Sequence, residues 1–332
     1  MPAGRPLRDI ALLGFDGVRI LDITGPAEVF DVARALGCGY EVTVYSCSDG
    51  PLVRSSSGLA FEATPGSNLG DVDTVIVPGG DILVRDRAPD DVQRLIGLHA
   101  RRARRVAALG TGSFALASTG LLDGRRATTH WRYADSFAAR HPSTILDRDS
   151  VLVRDGKMWT AADGCAAIDL ALALVAEDHG EDLAQEIAKD MVVLGRRMAG
   201  HPQISVAART PRPRHPELVR LMATINVDPA GRYELETVAA RIGMSPRHLA
   251  RVFKSHVGLT LRQYVHAVRL ENALGLVLAG ESFHSAARRS GLRYGPQIRD
   301  HLASHNIPSA RLPAARLLMD SGSTKPVSVR SG

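Results

Sequence analysis

Along the first 180 residues, short apolar runs are separated by longer stretches whose apolar positions recur every three or four residues. Asp9–Phe15, Thr74–Val77 and Val106–Leu109 read as strands that are apolar throughout, and Tyr40–Tyr45 reads as an alternating strand. Continuous apolar strands are those covered on both faces. Between them, Gly25–Leu36, opening at Gly-Pro, and Val92–Arg104 carry helical spacing. Asp155-Gly156 centres a hairpin over Val151–Thr160, and Ala166–Glu177 and Leu183–Val193 read as two closing helices. Strands alternating with helices predict a parallel sheet sandwiched between helical layers.

The pattern then changes. His201–Pro216 holds four prolines with little periodicity and is expected to be a linker. From Glu217 to Leu318 only helical patterns occur, punctuated by Gly243, Gly258, Gly280 and Gly291, and the Ser/Gly/Thr/Lys/Pro-rich tail after Met319 is expected to be disordered. The expected organisation is a first domain over 1–198, a linker over 199–216, an all-α domain over 217–318 and a tail over 319–332, as suits a chain of 332 residues.

Charge sharpens this division. Residues 201–332 hold 19 Lys and Arg against 8 Asp and Glu, whereas residues 1–200 hold 22 against 27. A basic module on a mildly acidic body points to a polyanion partner, with a solvated basic surface as the alternative. Arg101–Arg105 is read as the solvated end of a helix, where cations suit the dipole. No run of 18 apolar residues argues for a membrane span, and the N-terminus lacks a secretory cleavage pattern. The three cysteines, Cys38, Cys47 and Cys165, form no CxxC, so neither a disulfide framework nor a metal site is expected. The cytoplasm is the expected location, and Cys165 is read as a buried structural cysteine.

Val238–Met244 (VAARIGM) is echoed 48 residues later by Ala286–Leu292 (AARRSGL). Each echo is a short helix ending at glycine and followed by a turn and another helix, the helix-turn-helix layout. In the first copy Leu235–Ile242 supports, Gly243-Met244 turns, Ser245 caps and Pro246 opens a recognition helix to about Lys254. Leu249, Val252 and Phe253 face inward, leaving Arg247, His248, Ala250, Arg251 and Lys254 toward solvent. Arginine suits bidentate guanine contacts and Lys254 a phosphate.

The stretch LETVAARIGMSPRHLARVFKSHVGLTLRQYVHAVRLENA (Leu235–Ala273) resembles the AraC/XylS family of bacterial transcription regulators. The resemblance implies two helix-turn-helix units joined by a long helix, here about Leu261–Leu278, with Arg247, Ala250 and Arg251 facing bases. The second unit, GLRYGPQIRDHLASHNIP, departs from the family through Pro296, Asp300 and Leu302; Arg293 and Arg299 are its candidate DNA contacts.

In the first domain GVRILDITGPAEVFDVA (Gly17–Ala33), VIVPGG (Val75–Gly80), VAALGTGSFALASTGLLDGRRATTHW (Val106–Trp131) and AAIDLALALVAED (Ala166–Asp178) together resemble the PfpI-like superfamily. Within it the resemblance is particularly to isonitrile hydratases and the amidase-like domain of GlxA-type regulators. The implied fold is a flavodoxin-like α/β sandwich, usually dimeric, followed here by the all-α domain with its two helix-turn-helix units. Enzymes of this group place a cysteine at the strand-to-helix elbow, where this chain has Gly110; glycine offers no nucleophile. Catalysis is therefore expected to be lost, with no catalytic residue and no cofactor. The alternative is a hydratase or amidase-like enzyme fused to a DNA-binding domain, using Thr111 or Cys165.

A pocket without a nucleophile can still bind. Backbone donors of Gly110, Thr111 and Gly112, the carboxylate of Asp22, and the rings of His130 and Trp131 are the candidate ligand groups. Asp22 reads equally well as a helix cap, and His130-Trp131 as a packed strand end. The expectation is a sequence-specific regulator, an activator by family habit. Its partners are promoter DNA, RNA polymerase, a second copy in a homodimer, and a small effector such as an amino acid or other nitrogen metabolite; no membrane is involved.

Overall fold

In the computed structural model the described residues are 7–48, 50–85, 88–193, 195–278, 280–293 and 296–304. The expected tail, the turn after the last helix, and Tyr294 and Gly295 lie outside them, as does the Leu302 side chain. The chain divides into two units, Met1–Gln203 and Ile204–Gly332.

The first unit is built on a seven-stranded sheet. Its strands are β1 (Arg8–Gly14), β2 (Tyr40–Ser46), β3 (Thr64–Pro65), β4 (Thr74–Val77), β5 (Arg105–Leu109), β6 (Leu152–Asp155) and β7 (Met158–Ala161). They run in the order β6-β7-β5-β4-β1-β2-β3, all neighbours parallel except the β6–β7 hairpin. Every residue of β4 and β5 is buried, as continuous apolar strands require. One helical group comprises α1 (Ile20–Ala35), α5 (Ala166–His179) and α6 (Glu181–Asp190), which pack on one another. Also in this unit, α2 (Asp90–His99) packs on α3 (Gly112–Ser118), and α4 (Ala134–Arg140) follows.

Two boundaries differ from expectation. α1 begins at Ile20, so Gly25 and Pro26 lie inside it rather than opening it. A β-carbon on Gly25 would come within 3.1 Å of Ile168 in α5, so the glycine serves close helix–helix approach instead of helix initiation. α2 stops at His99, and Arg105 opens β5 with its side chain 2% exposed. The basic run is therefore not a solvated helix end. Arg105 binds Asp178 at 2.8 Å and Glu177 at 3.3 Å, Arg104 binds Asp73 at 2.7 Å and Asp178 at 2.9 Å, and Tyr40 donates to Asp178. Burial of this arginine is tolerated because remote acids surround it.

The second unit is helical: α7 (Pro216–Val227), α8 (Leu235–Arg241), α9 (Pro246–Val257), α10 (Leu261–Leu278), α11 (Phe283–Arg289) and α12 (Pro296–Ser304). Leu218, Ile225, Val238, Leu249, Phe253 and Tyr264 are at the centre of its core. Ordered contacts reach into the stretch expected as linker: Gln203 donates to Thr129 in the first unit, and Val206 is buried in the second unit's core. No helix among the described residues is long and apolar enough to cross a membrane.

Candidate functional site

Four loops converge at the carboxyl ends of adjacent strands β7, β5, β4 and β1, the usual position for a ligand in an open α/β sheet. β1 leads to Arg19 and Asp22, β4 to Pro78-Gly79-Gly80, β5 to the elbow Gly110-Thr111, and β7 to Asp163-Gly164. Gly110 holds φ +49°, a left-handed elbow conformation that glycine adopts without strain, and its N–H donates to Ala161 at 2.9 Å. That donor, expected to face a ligand, is thus already used inside the sheet. A β-carbon on Gly112 would sit 2.3 Å from the Val77 carbonyl, which fixes glycine there.

The Thr111 hydroxyl is fully buried; it accepts from Gly80 N–H at 2.8 Å and donates to Gly80 C=O at 2.9 Å. It clamps two strand ends and is not presented to a substrate. Asp22 does not cap its own helix. Its carboxyl accepts from Gly79 N–H at 2.8 Å and Gly164 N–H at 3.3 Å. Burial lifts the Asp22 carboxyl well above the ordinary carboxylate range, and neighbouring Asp163, hydrogen-bonded to it, adds to the rise. Asp22 and Asp163 thus form a carboxyl pair in which Asp22 is the member pushed upward.

Asp163 and its partner Arg19 are site residues that sequence reasoning missed. A β-carbon on Gly110 would lie 2.8 Å from Asp163 Cβ and Cγ and 3.1 Å from its Oδ2. An aspartate therefore fills the volume in which a side chain at the elbow would stand. Its Oδ2 pairs with Arg19 Nε at 2.9 Å, and its Oδ1 accepts from Gly164 N–H at 2.7 Å. Arg19 also reaches Asp81 at 3.2 Å, and Asp81 accepts from the Tyr133 hydroxyl at 3.4 Å. The only local hint was an acid-glycine pair directly after a predicted strand.

His130 stands beside this group, its imidazole lowered by burial, with Asp163 opposing and Arg19 adding to the fall. Its Nδ1 accepts from Arg132 N–H at 3.2 Å, so it is not a packed strand end. Trp131 is 49% exposed, with the Arg132 guanidinium 5.6 Å from its ring. Cys165, expected to be buried, is exposed at the start of α5. No cluster of metal-ligating side chains occurs among the described residues.

In the second unit the two sequence echoes have the same geometry. Gly243 (φ +68°) and Gly291 (φ +73°) both end their helices in the left-handed region. Met244 N–H donates to Ala239 C=O at 2.9 Å and Leu292 N–H to Ala287 C=O at 2.8 Å, the same closure twice. The Ser245 hydroxyl accepts from His248 N–H, capping α9, and Pro246 is its first residue. Leu249, Phe253 and Val257 are buried, while Arg247, His248, Ala250, Arg251 and Lys254 are exposed on the opposite face, where Arg251 approaches His248 at 3.3 Å. In the second copy Arg293 and Arg299 are exposed, and Arg299 lies 6.0 Å from the Phe283 ring. Pro296 is the first residue of α12, a position that spares a helix the missing N–H.

Residues 8–177 match the DJ-1/PfpI family model, and residues 238–304 match a helix-turn-helix domain. The HTH-type transcriptional regulator CdhR of Pseudomonas aeruginosa is 30% identical over 274 residues, covering 81% of this chain and 80% of its own. Isonitrile hydratase of Pseudomonas putida is 36% identical over 178 residues, 53% of this chain and 74% of its own. A crystal structure of a ThiJ/PfpI family protein from Pseudomonas syringae superposes with a TM-score of 0.52 at 20% identity, covering 80% of this chain and 92% of that one, and shares the fold.

Proposed function

The chain belongs to the DJ-1/PfpI family, in the form that joins this domain to a helix-turn-helix domain, and from this premise we propose that it is a sequence-specific transcriptional regulator controlled by a small metabolite. The observation that carries the reading is the exposed face of α9. Arg247, Arg251 and Lys254 sit there with no acid within ion-pair distance among the described residues, on a helix oriented by the Ser245 cap. Such a face suits the major groove, with Arg247 and Arg251 for base edges and Lys254 for a phosphate.

The first unit is proposed to sense rather than to catalyse. Gly110 offers no nucleophile, Asp163 fills the space beside it, and Thr111 is bonded on both sides to Gly80. Arg19, the Asp22–Asp163 pair, His130 and half-exposed Trp131 combine a cation, a carboxylate and an aromatic face. That set suits an amino acid or another zwitterionic nitrogen metabolite. The effector shifts the population of DNA-binding arrangements, in a cytoplasmic homodimer that activates through RNA polymerase.

Fluorescence anisotropy with fragments flanking its own gene, excess competitor DNA and an Arg251→Ala variant tests the reading. The expected result is binding that survives competitor and loses about 1–3 kcal/mol of sequence preference in the variant. Equal affinity for all fragments, unchanged by the substitution, would overturn it.

A further inference from the structure

The stretch expected as a linker is bound into the first unit as far as Gln203 and into the second from Ser205 onward. On the first side, Arg197 pairs with Asp169 at 2.8 Å, the Val151 N–H donates to the His201 carbonyl at 2.8 Å, and the Gln203 N–H donates to the Asp149 carbonyl at 2.8 Å. On the second side, the Ser205 hydroxyl caps the turn Val206–Arg209, and the Val206 N–H donates to Glu271 of α10 at 2.8 Å. Ile204 alone separates these anchored segments, a reach of about 3.3–3.6 Å. A flexible tether of n residues, with an end-to-end distance of about 5–6 Å × √n, absorbs movement at either end. A single residue passes it on.

Gln203 is bonded through every polar group it has. Its carboxamide nitrogen donates to the Thr129 carbonyl at 2.8 Å and the Thr128 hydroxyl at 3.1 Å, with the Arg148 and Ser150 carbonyls at 3.3 Å each. Its carboxamide oxygen accepts from the Trp131 N–H at 2.9 Å, and its backbone carbonyl accepts from Arg197 at 3.4 Å. Only a neutral amide both donates and accepts in this way; glutamate lacks the donors. His130, beside the carboxyl pair, lies between the two residues that Gln203 grips, Thr129 and Trp131. The same loop is tied to the elbow, because the Thr129 hydroxyl donates to the Gly110 carbonyl at 3.0 Å. Contacts therefore run without a break from Gly110 to Thr129, to Gln203, and through Ile204 to Ser205.

We propose that Gln203 is the positioning residue through which the metabolite site acts on the DNA-binding unit, a role that rests on the sensing and DNA-binding reading above. With its carboxamide seated on the Thr128–Trp131 loop, the chain is free only at Ile204; with it released, the free stretch lengthens back through His201. A metabolite that draws on His130 or Trp131 favours one of these two arrangements. DNA that favours one of them acts back on the loop by the same factor, because linked binding is reciprocal.

That reciprocity allows a test with DNA as the only ligand. Acrylamide quenches the half-exposed Trp131 and largely spares Trp159, which is 5% exposed, so quenching of the full chain reports the loop. A duplex from upstream of its own gene is titrated in, and anisotropy of the same samples records binding. The expected result is a change in the quenching constant of up to about twofold, the step from 49% to full exposure, with the same midpoint as binding. Two variants locate the cause. Gln203→Ala removes the bridge, and an insertion of about four Gly/Ser residues after Ile204 keeps every bond of Gln203 while adding slack. Both are expected to bind the duplex without any change in quenching, and the insertion chain keeps the natural quenching in the absence of DNA. A natural chain that binds the duplex with unchanged quenching would overturn this role alone. So would a response that persists in the insertion chain, whether or not Gln203→Ala folds. A natural chain that binds no duplex would overturn the role together with the DNA-binding reading.

Discussion

Placing a methyl group on Gly110 tests whether Asp163 has taken over the space at the elbow. In Gly110→Ala the new carbon would stand 2.8 Å from Asp163 Cβ and Cγ, against the 3.4 Å at which ordinary contact begins. The left-handed φ of +49° costs alanine about 1–2 kcal/mol by itself. Relieving the overlap means moving Asp163 away from Arg19 Nε at 2.9 Å and Gly164 N–H at 2.7 Å, and a hydrogen bond to a charged group contributes about 1.5–3 kcal/mol. The expected total is about 3–5 kcal/mol. In an Asp163→Gly background only the backbone part remains, so the same substitution should cost about 1–2 kcal/mol, a coupling of roughly 1.5–3 kcal/mol. Urea unfolding followed by tryptophan fluorescence measures this, since both tryptophans, Trp131 and Trp159, belong to the first unit. A coupling below about 0.5 kcal/mol would refute the claim that the carboxylate occupies the seat. Gly110→Cys is expected to hydrate no isonitrile, because the thiol would meet the same aspartate.

Further outcomes follow from the same contacts. Asp22 is raised by burial, so the folded state holds a proton that the unfolded chain releases near the ordinary carboxylate value; its stabilisation is full below that value and lost as pH rises through the raised one. Asp22→Asn keeps the neutral form, so its stability relative to the natural chain should improve with rising pH in denaturation curves; parallel curves would contradict the raised Asp22 carboxyl. Arg105→Ala leaves Asp178 and Glu177 without their buried partner and should cost about 3–5 kcal/mol in the urea assay, and a loss under about 1 kcal/mol would show that Arg104 suffices. Ser245→Ala removes the α9 cap and should lower stability of the second unit by about 1 kcal/mol, read by circular dichroism melting, with Ser245→Asp recovering it.

What the sequence disclosed was local, and what it hid was remote in the chain. The strand runs, the Asp155-Gly156 hairpin, the Ser245 cap and the paired glycines at 243 and 291 each depend on a few consecutive residues, and each is found. Gly25-Pro26 misled because glycine there serves contact with Ile168, in a helix more than 140 residues away. The resemblance to a nucleophile elbow points to Gly110 and Thr111. Asp163, which fills the elbow, lies at the end of another strand and meets Gly110 and Asp22 only across the sheet. Arg105 looked like part of a solvated run because its acids arrive from two other segments, Asp73 before β4 and Glu177 and Asp178 in α5.

The treatment of arginine separates the two units more sharply than net charge does. In the first unit several arginines are held by acids: Arg105 is buried against Asp178 and Glu177, Arg104 binds Asp73 and Asp178, and Arg197 binds Asp169. The charge of these three is satisfied within the fold. In the second unit Arg247, Arg251, Arg262 and Arg293 are exposed without acid partners among the described residues, on surfaces ordered by apolar cores rather than by ion pairs. Orienting unpaired cations costs the fold in mutual repulsion, and a polyanion that releases its counterions on binding offsets that cost. The 19 basic and 8 acidic residues in 201–332 therefore present their charge outward, since among the described residues of this unit only Arg220 and Arg289 are paired with acids.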